Sequence, residues 1–258
     1  MAQMRQTAER IPIPGTFNFR DVGGWPTAGG TVARGVLYRS DGLHNLTDES
    51  RAQLRELRLR TVIDLREERE VHRAPDALDG LDVEHIALPL FGNRYYPLDR
   101  DRADRLQLRD HSLPTIYQTM IDEFGPSLAA GVETIASRVR TPVLIHCSAG
   151  KDRTGVLTAF VLSLIDVPRQ HVIDDYTATE RYLGAEFLAA LGSKFAQAGI
   201  VANLSETATQ APAALITGVL ERLDTEYGGV AGYLRTHGMN PEAVEELRAA
   251  LVAPARVG

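Results

Sequence analysis

The 258-residue sequence holds a single cysteine, so no internal disulfide can staple the fold and its stability must come from a hydrophobic core. Long apolar runs are missing as well. The longest, from Val156 to Val167, is interrupted by Thr158, Ser163 and Asp166, far short of a bilayer span. Met1 to Pro14 lacks the apolar stretch of a secretory leader, so the expectation is a cytoplasmic chain, or one secreted without a recognisable signal peptide. Positive charge is not in excess: 28 Lys+Arg stand against 34 Asp+Glu, a formal charge of -6. That balance argues against general nucleic-acid binding or docking on an anionic membrane, and the short apolar runs argue against stable membrane insertion, while a local basic cleft remains open. Internal repeats and low-complexity linkers are absent too. What remains is ordinary: 44% hydrophobic and 24% charged residues, enough for one α/β domain with insertions.

Residues 15–46 are rich in turns, marked by Gly23-Gly24, Pro26 and Gly29-Gly30. Val36–Arg39 reads as a strand, and Thr47 as the N-cap of a helix with Asp48 and Glu49 in its first turn. Thr61–Leu65, Val83–Leu88 and Pro142–His146 read as further strands. Helical spacing covers Thr115–Phe124, Leu128–Val139, Arg153–Ile165, Asp174–Leu191 and Ala213–Tyr227, with a last helix opened by Asn240 and Pro241. The charge-dense stretch Asp99–Asp110 shows little core-facing pattern and suggests a lid or insertion around 91–125. Alternating strands and helices predict an α/β fold: a mostly parallel central sheet flanked by helices, in one domain over 1–258, with a helical C-terminal flank at 168–252.

The lone cysteine sits in His146-Cys147-Ser148-Ala149-Gly150-Lys151-Asp152-Arg153-Thr154-Gly155, between an expected strand and an expected helix. In that setting the amides of Ser148, Ala149, Gly150 and Lys151, with the helix N-terminus, form a nest for a dianionic phosphate. The same surroundings favour a thiolate over a thiol, giving Cys147 the character of a nucleophile. Arg153, six residues on, returns to the nest and offers a planar fork to two equatorial oxygens. Thr154 is placed to donate its hydroxyl to the sulfur, and His146 to brace the loop. Cysteine and arginine at this spacing are a weak signal alone; the flanking strand, helix, glycines and Thr154 hydroxyl strengthen it.

The loop resembles the signature of the protein tyrosine phosphatase superfamily, and Lys151-Asp152 narrows the likeness to its bacterial tyrosine/lipid phosphatases. Asn18-Phe19-Arg20-Asp21-Val22-Gly23-Gly24, Leu37-Tyr38-Arg39-Ser40 and Ile63-Asp64-Leu65-Arg66 are similar to further elements of that group. The resemblance implies a cysteine phosphatase fold with a helical lid and no cofactor or metal. It implies hydrolysis of phosphate monoesters through a phosphocysteine intermediate, on phosphorylated protein or phosphoinositide substrates.

A leaving alcohol or phenol also needs a proton donor. The only tryptophan, Trp25, is followed by Pro26 and Thr27, so the Trp-Pro-Asp loop usual among tyrosine phosphatases is not found. Asp152 is the first candidate, because its counterpart in the resembled group has been proposed as acid and base. Asp64, at a strand end, is the second, and Asp99 the third. Lys151 adds a cation near the mouth, and Arg20 either orders the cradle or touches substrate. Two other classes compete: a phosphate-binding pseudophosphatase without turnover, which would need neither Cys147 nor Thr154, and thiol redox chemistry, which lacks a resolving cysteine.

Overall fold

The computed structural model describes residues 8–94, 112–197 and 209–254. Among the described residues, eight short strands are β1 (Arg20–Asp21), β2 (Pro26–Thr27), β3 (Gly30–Val32), β4 (Leu37–Ser40), β5 (Thr61–Asp64), β6 (Glu84–Ala87), β7 (Val143–His146) and β8 (Val252–Pro254). The first five helices are α1 (Asp48–Glu56), α2 (Glu68–Arg73), α3 (Leu113–Glu123), α4 (Gly125–Arg138) and α5 (Asp152–Leu164). The C-terminal flank follows as α6 (Arg169–Tyr182), α7 (Ala185–Gln197), α8 (Ala213–Tyr227), α9 (Val230–Thr236) and α10 (Glu242–Leu251).

The central sheet runs β1-β4-β7-β5-β6, with β4, β7, β5 and β6 parallel and β1 antiparallel at one edge. Strands β4, β5 and β7 are wholly buried: Val62-Ile63 and Val143–Ile145 suit a sheet covered on both faces, while Arg39 and Ser40 of β4 are buried polar residues. Their alternating side chains feed two cores. Leu37, Ile63, Val143 and Ile145 join the larger one, built with α3 to α6 and α8 to α10. Tyr38, Val62 and Leu144 point to the other side, against Ile13, Phe19, Leu43 and Leu54 of α1. Helix α5 is buried on nearly every side, which explains why it is apolar without a polar face. Strands β2, β3 and β8 form a separate antiparallel sheet.

The register sets up the site. Ser40 and Asp64 both pair with His146, so the carboxyl ends of β4, β7 and β5 lie level, and the loop after β7 opens above that row. Crevices outside the carboxyl ends of parallel strands are where such folds bind ligands.

Most expected elements are present. Thr47 caps α1, accepting from Ser50 N while the Ser50 hydroxyl accepts from Thr47 N. Asn240 Oδ1 accepts from Glu242 N at 3.0 Å at the start of α10. One helix expected over 174–191 is instead two: α6 ends at Tyr182, and Leu183 and Gly184 separate it from α7. Periodicity continues across such a break, and only Gly184 hints at it. Helices α2 and α9 and strands β1, β2, β3 and β8 are too short for a periodic signal. The core of the expected lid, including Asp99, lies outside the described residues; its C-terminal end becomes α3.

Candidate active site

The loop from Cys147 to Lys151 is shaped by donors that pull its carbonyls outward. Gly42 N donates to Ser148 O at 3.1 Å. Asn18 Nδ2 donates to Ala149 O at 3.1 Å and Gly150 O at 3.0 Å, and Arg39 Nη2 donates to Gly150 O at 2.8 Å. In a trans peptide the next N–H points opposite its carbonyl. The amides of Ala149, Gly150 and Lys151 are therefore turned away from these donors and towards the inside of the cradle, an arrangement suited to an anion. Gly150 has φ +64, and a Cβ there would lie 2.3 Å from Ser40 O, so the close approach of loop to β4 requires glycine.

A buried polar layer fixes those donors. Arg20 Nη1 bonds Asn18 Oδ1, while Asp41 Oδ1 accepts from Phe17 N at 2.9 Å and Asn18 N at 2.8 Å. Asp175 stands between two guanidiniums, 2.5 Å from Arg39 Nη1 and 3.6 Å from Arg20 Nε. Burial, and then the adjacent Arg39, lower Arg20 to about 9, and the two guanidiniums share one carboxylate. Arg20 is 0% exposed. It reaches the cradle through Asn18, whose Nδ2 holds the carbonyls of Ala149 and Gly150.

Cys147 lies at the loop's start, 2% exposed, and Arg153 on the first turn of α5 reaches back beside it. Arg153 is held by a residue that sequence reading missed. Glu70, on α2, takes Arg153 Nη1 at 2.5 Å and Nη2 at 2.7 Å on its two oxygens, and accepts the Ser148 hydroxyl at 2.5 Å. Arg153 Nη1 also donates to Leu65 O at 3.3 Å and lies 3.8 Å from Glu67. Burial opposes ionising Glu70, but the Arg153 charge and the hydrogen bonds outweigh it and hold the carboxyl at about 2. The signal available was an acid at the third helical position after a strand, which reads as a capping residue: Glu70 Oε2 does accept from Glu67 N at 3.0 Å.

Asp64 is 0% exposed, and both its oxygens are taken by Arg66, through Nε at 2.8 Å and Nη2 at 2.7 Å. Arg66 Nη2 also meets Asp76 at 2.8 Å, and Asp76 Oδ2 lies 3.1 Å from His146 Nε2 and 3.3 Å from His85 Nε2. Asp64, Asp76 and His146 bring potential metal-ligand atoms within 4.8 Å of one another. The Arg66 guanidinium already supplies that cluster's cation and fills both Asp64 oxygens, so the geometry favours a brace for His146 over a metal site.

Asp152 opens α5 with its side chain 28% exposed. Tyr117 of α3 donates its hydroxyl to Asp152 Oδ1 at 2.9 Å. Lys151 is not an open-mouth lysine: it is 2% exposed, donates to Gln210 O at 3.1 Å and lies 3.8 Å from Asp152 Oδ1. The Thr154 hydroxyl is buried with no hydrogen-bond partner among the described residues.

The model of the tyrosine phosphatase family matches residues 11–253, nearly the whole chain. The chain belongs to that family. As one of its members, this protein is a phosphoric monoester hydrolase of the protein tyrosine phosphatase type. It is 30% identical to the "Triple specificity protein phosphatase PtpB" of Mycobacterium tuberculosis over 93% of this chain and 98% of that one. It is 28% identical to a tyrosine-protein phosphatase of Nostoc commune over 84% of this chain and 74% of that one. Among solved structures, TpbA of P. aeruginosa is 20% identical, covers 60% of this chain and 78% of that one, and has a TM-score of 0.37. No helix among the described residues of the phosphatase is long and apolar enough to cross a membrane.

Proposed function

We propose that this phosphatase cleaves phosphate monoesters through a phosphocysteine. The carrying observation is the loop whose carbonyls are pinned outward around Cys147 while Arg153 is clamped beside it. The substrate dianion sits on the loop amides, and two of its oxygens take the Arg153 fork that Glu70 holds ready. Cys147 Sγ attacks phosphorus in line, and the bond to the leaving oxygen breaks as Asp152 gives that oxygen its proton. The Asp152 carboxylate then takes a proton from water, whose oxygen attacks phosphorus. The S–P bond breaks, Thr154 donates to the departing sulfur, and inorganic phosphate leaves with Asp152 again protonated. Asp152 is preferred over Asp64 because it is part-exposed at the loop, whereas Asp64 is enclosed by Arg66.

The proposed substrates are phosphotyrosine in proteins, together with phosphoserine, phosphothreonine and phosphoinositides. The breadth is supported by the printed name of the mycobacterial relative and by Lys151-Asp152 in the loop. The test is phosphate release by the wild type and Cys147→Ser across phosphotyrosine peptides, phosphoserine peptides and monophosphorylated phosphoinositides. Wild-type turnover should vanish in Cys147→Ser while phosphate binding persists. Residual turnover in the variant refutes the nucleophile, and wild-type binding without turnover makes the protein a pseudophosphatase.

A further inference from the structure

We propose that Tyr117 is a positioning residue for the proton donor, holding the Asp152 carboxyl at the end of a two-phenol chain that starts at Tyr176. The proposal rests on the reading of Asp152 as acid and base. The Tyr117 hydroxyl has one proton, and it goes to Asp152 Oδ1 at 2.9 Å. The 2.6 Å contact between the hydroxyls of Tyr117 and Tyr176 must then carry the proton of Tyr176. The direction is fixed: Tyr176 donates to Tyr117, and Tyr117 donates to Asp152. Burial, and then the charge of Asp152, raise both phenols above their ordinary range, so both remain donors wherever the enzyme works.

The chain is rigid because three helices hold it. Tyr117 comes from α3, Asp152 from α5 and Tyr176 from α6, and the two rings meet edge to face with centroids 6.2 Å apart. Tyr176 is packed against Gly155, where an added Cβ would lie 3.0 Å from its ring. Tyr117 and Lys151 both address Oδ1 of Asp152, which leaves Oδ2 to carry the transferable proton. A hydrogen bond to a carboxylate is stronger than one to a neutral acid, so Tyr117 stabilises Asp152 most as it loses that proton. Its effect therefore falls on the transition state for leaving-group departure, in proportion to how much proton transfer that departure needs.

The test is kcat/KM for the wild type, Tyr117→Phe, Tyr176→Phe and Asp152→Asn on phenyl, 4-nitrophenyl and 2,4-dinitrophenyl phosphate. For Tyr117→Phe we expect a loss of about tenfold or more with phenyl phosphate and under about threefold with the dinitrophenyl ester, whose leaving group departs without a proton. Tyr176→Phe should show the same trend at smaller size, which separates it from a loss of folding. A loss in Tyr117→Phe that is equal across the three esters overturns the positioning role, because a packing defect does not sense the leaving group. Asp152→Asn tells the two failures apart. If its loss is steep with leaving group while that of Tyr117→Phe is flat, only the role of Tyr117 falls; if Asp152→Asn is itself flat, the acid assignment falls and takes this proposal with it.

Discussion

Replacing Gly150 by alanine should disable the cradle far more than it unfolds the protein. The new Cβ would stand 2.3 Å from Ser40 O and 2.5 Å from Ser40 C, where ordinary contact begins near 3.4 Å. The obstacle is backbone of the central strand β4, so the loop must move by about 1 Å, and its φ of +64 adds strain for any residue with a Cβ. Left-handed backbone costs alanine about 1–2 kcal/mol. Moving Gly150 also loosens the charge-assisted bond from Arg39 at 2.8 Å, worth about 1.5–3 kcal/mol. Together these come to about 2.5–5 kcal/mol, a fall in Tm of about 5–20 °C for a chain of this length. A displacement of about 1 Å at a reacting centre costs on the order of 100-fold in rate. Gly155→Ala is the milder comparison: its Cβ meets the Tyr176 ring at 3.0 and 3.1 Å and Arg39 Nη2 at 3.5 Å, side-chain atoms that can give by a few tenths of an ångström where backbone cannot. Steady-state turnover of 4-nitrophenyl phosphate and thermal unfolding, measured on both variants, check the reasoning. Gly150→Ala turning over within about threefold of wild type would refute the claim that loop placement carries the rate.

Glu70→Gln should lower kcat/KM by about tenfold, because Arg153 loses its fixed orientation; an increase would mean that Glu70 blocks the fork rather than presenting it. The same variant tests linkage. A carboxyl held at about 2 in the folded state, below its ordinary value of 4.5, contributes stability that is complete above 4.5 and lost as pH falls towards 2. The wild type should therefore exceed Glu70→Gln in urea-unfolding free energy near neutral pH, and the gap should close across that acid window. Asp175→Asn leaves Arg20 and Arg39 as two buried guanidiniums without their shared carboxylate, and should cost about 3–5 kcal/mol by thermal or denaturant unfolding.

The proposed nucleophile, phosphate nest and arginine fork are all legible in ten consecutive residues, because a strand–loop–helix unit is local and its amides need no distant partner to be recognised. The buried strands around it were legible for a similar reason: Thr61–Asp64 and Val143–His146 are apolar runs that only a covered parallel sheet accommodates. Tertiary structure decided what those residues lean on. Glu70 looks like a helix-start acid until α2 is brought against Arg153, and Tyr117 and Tyr176 look like core aromatics until α3 and α6 bring their hydroxyls to Asp152. Position in the loop and resemblance place Asp152 before Asp64 as the acid, without showing what surrounds either carboxylate. Burial separates them, since Arg66 encloses one and the loop leaves the other part-exposed. Side-chain chemistry and spacing travel with the chain, whereas the partner of a buried charge depends on which distant element the fold places within 3 Å of it.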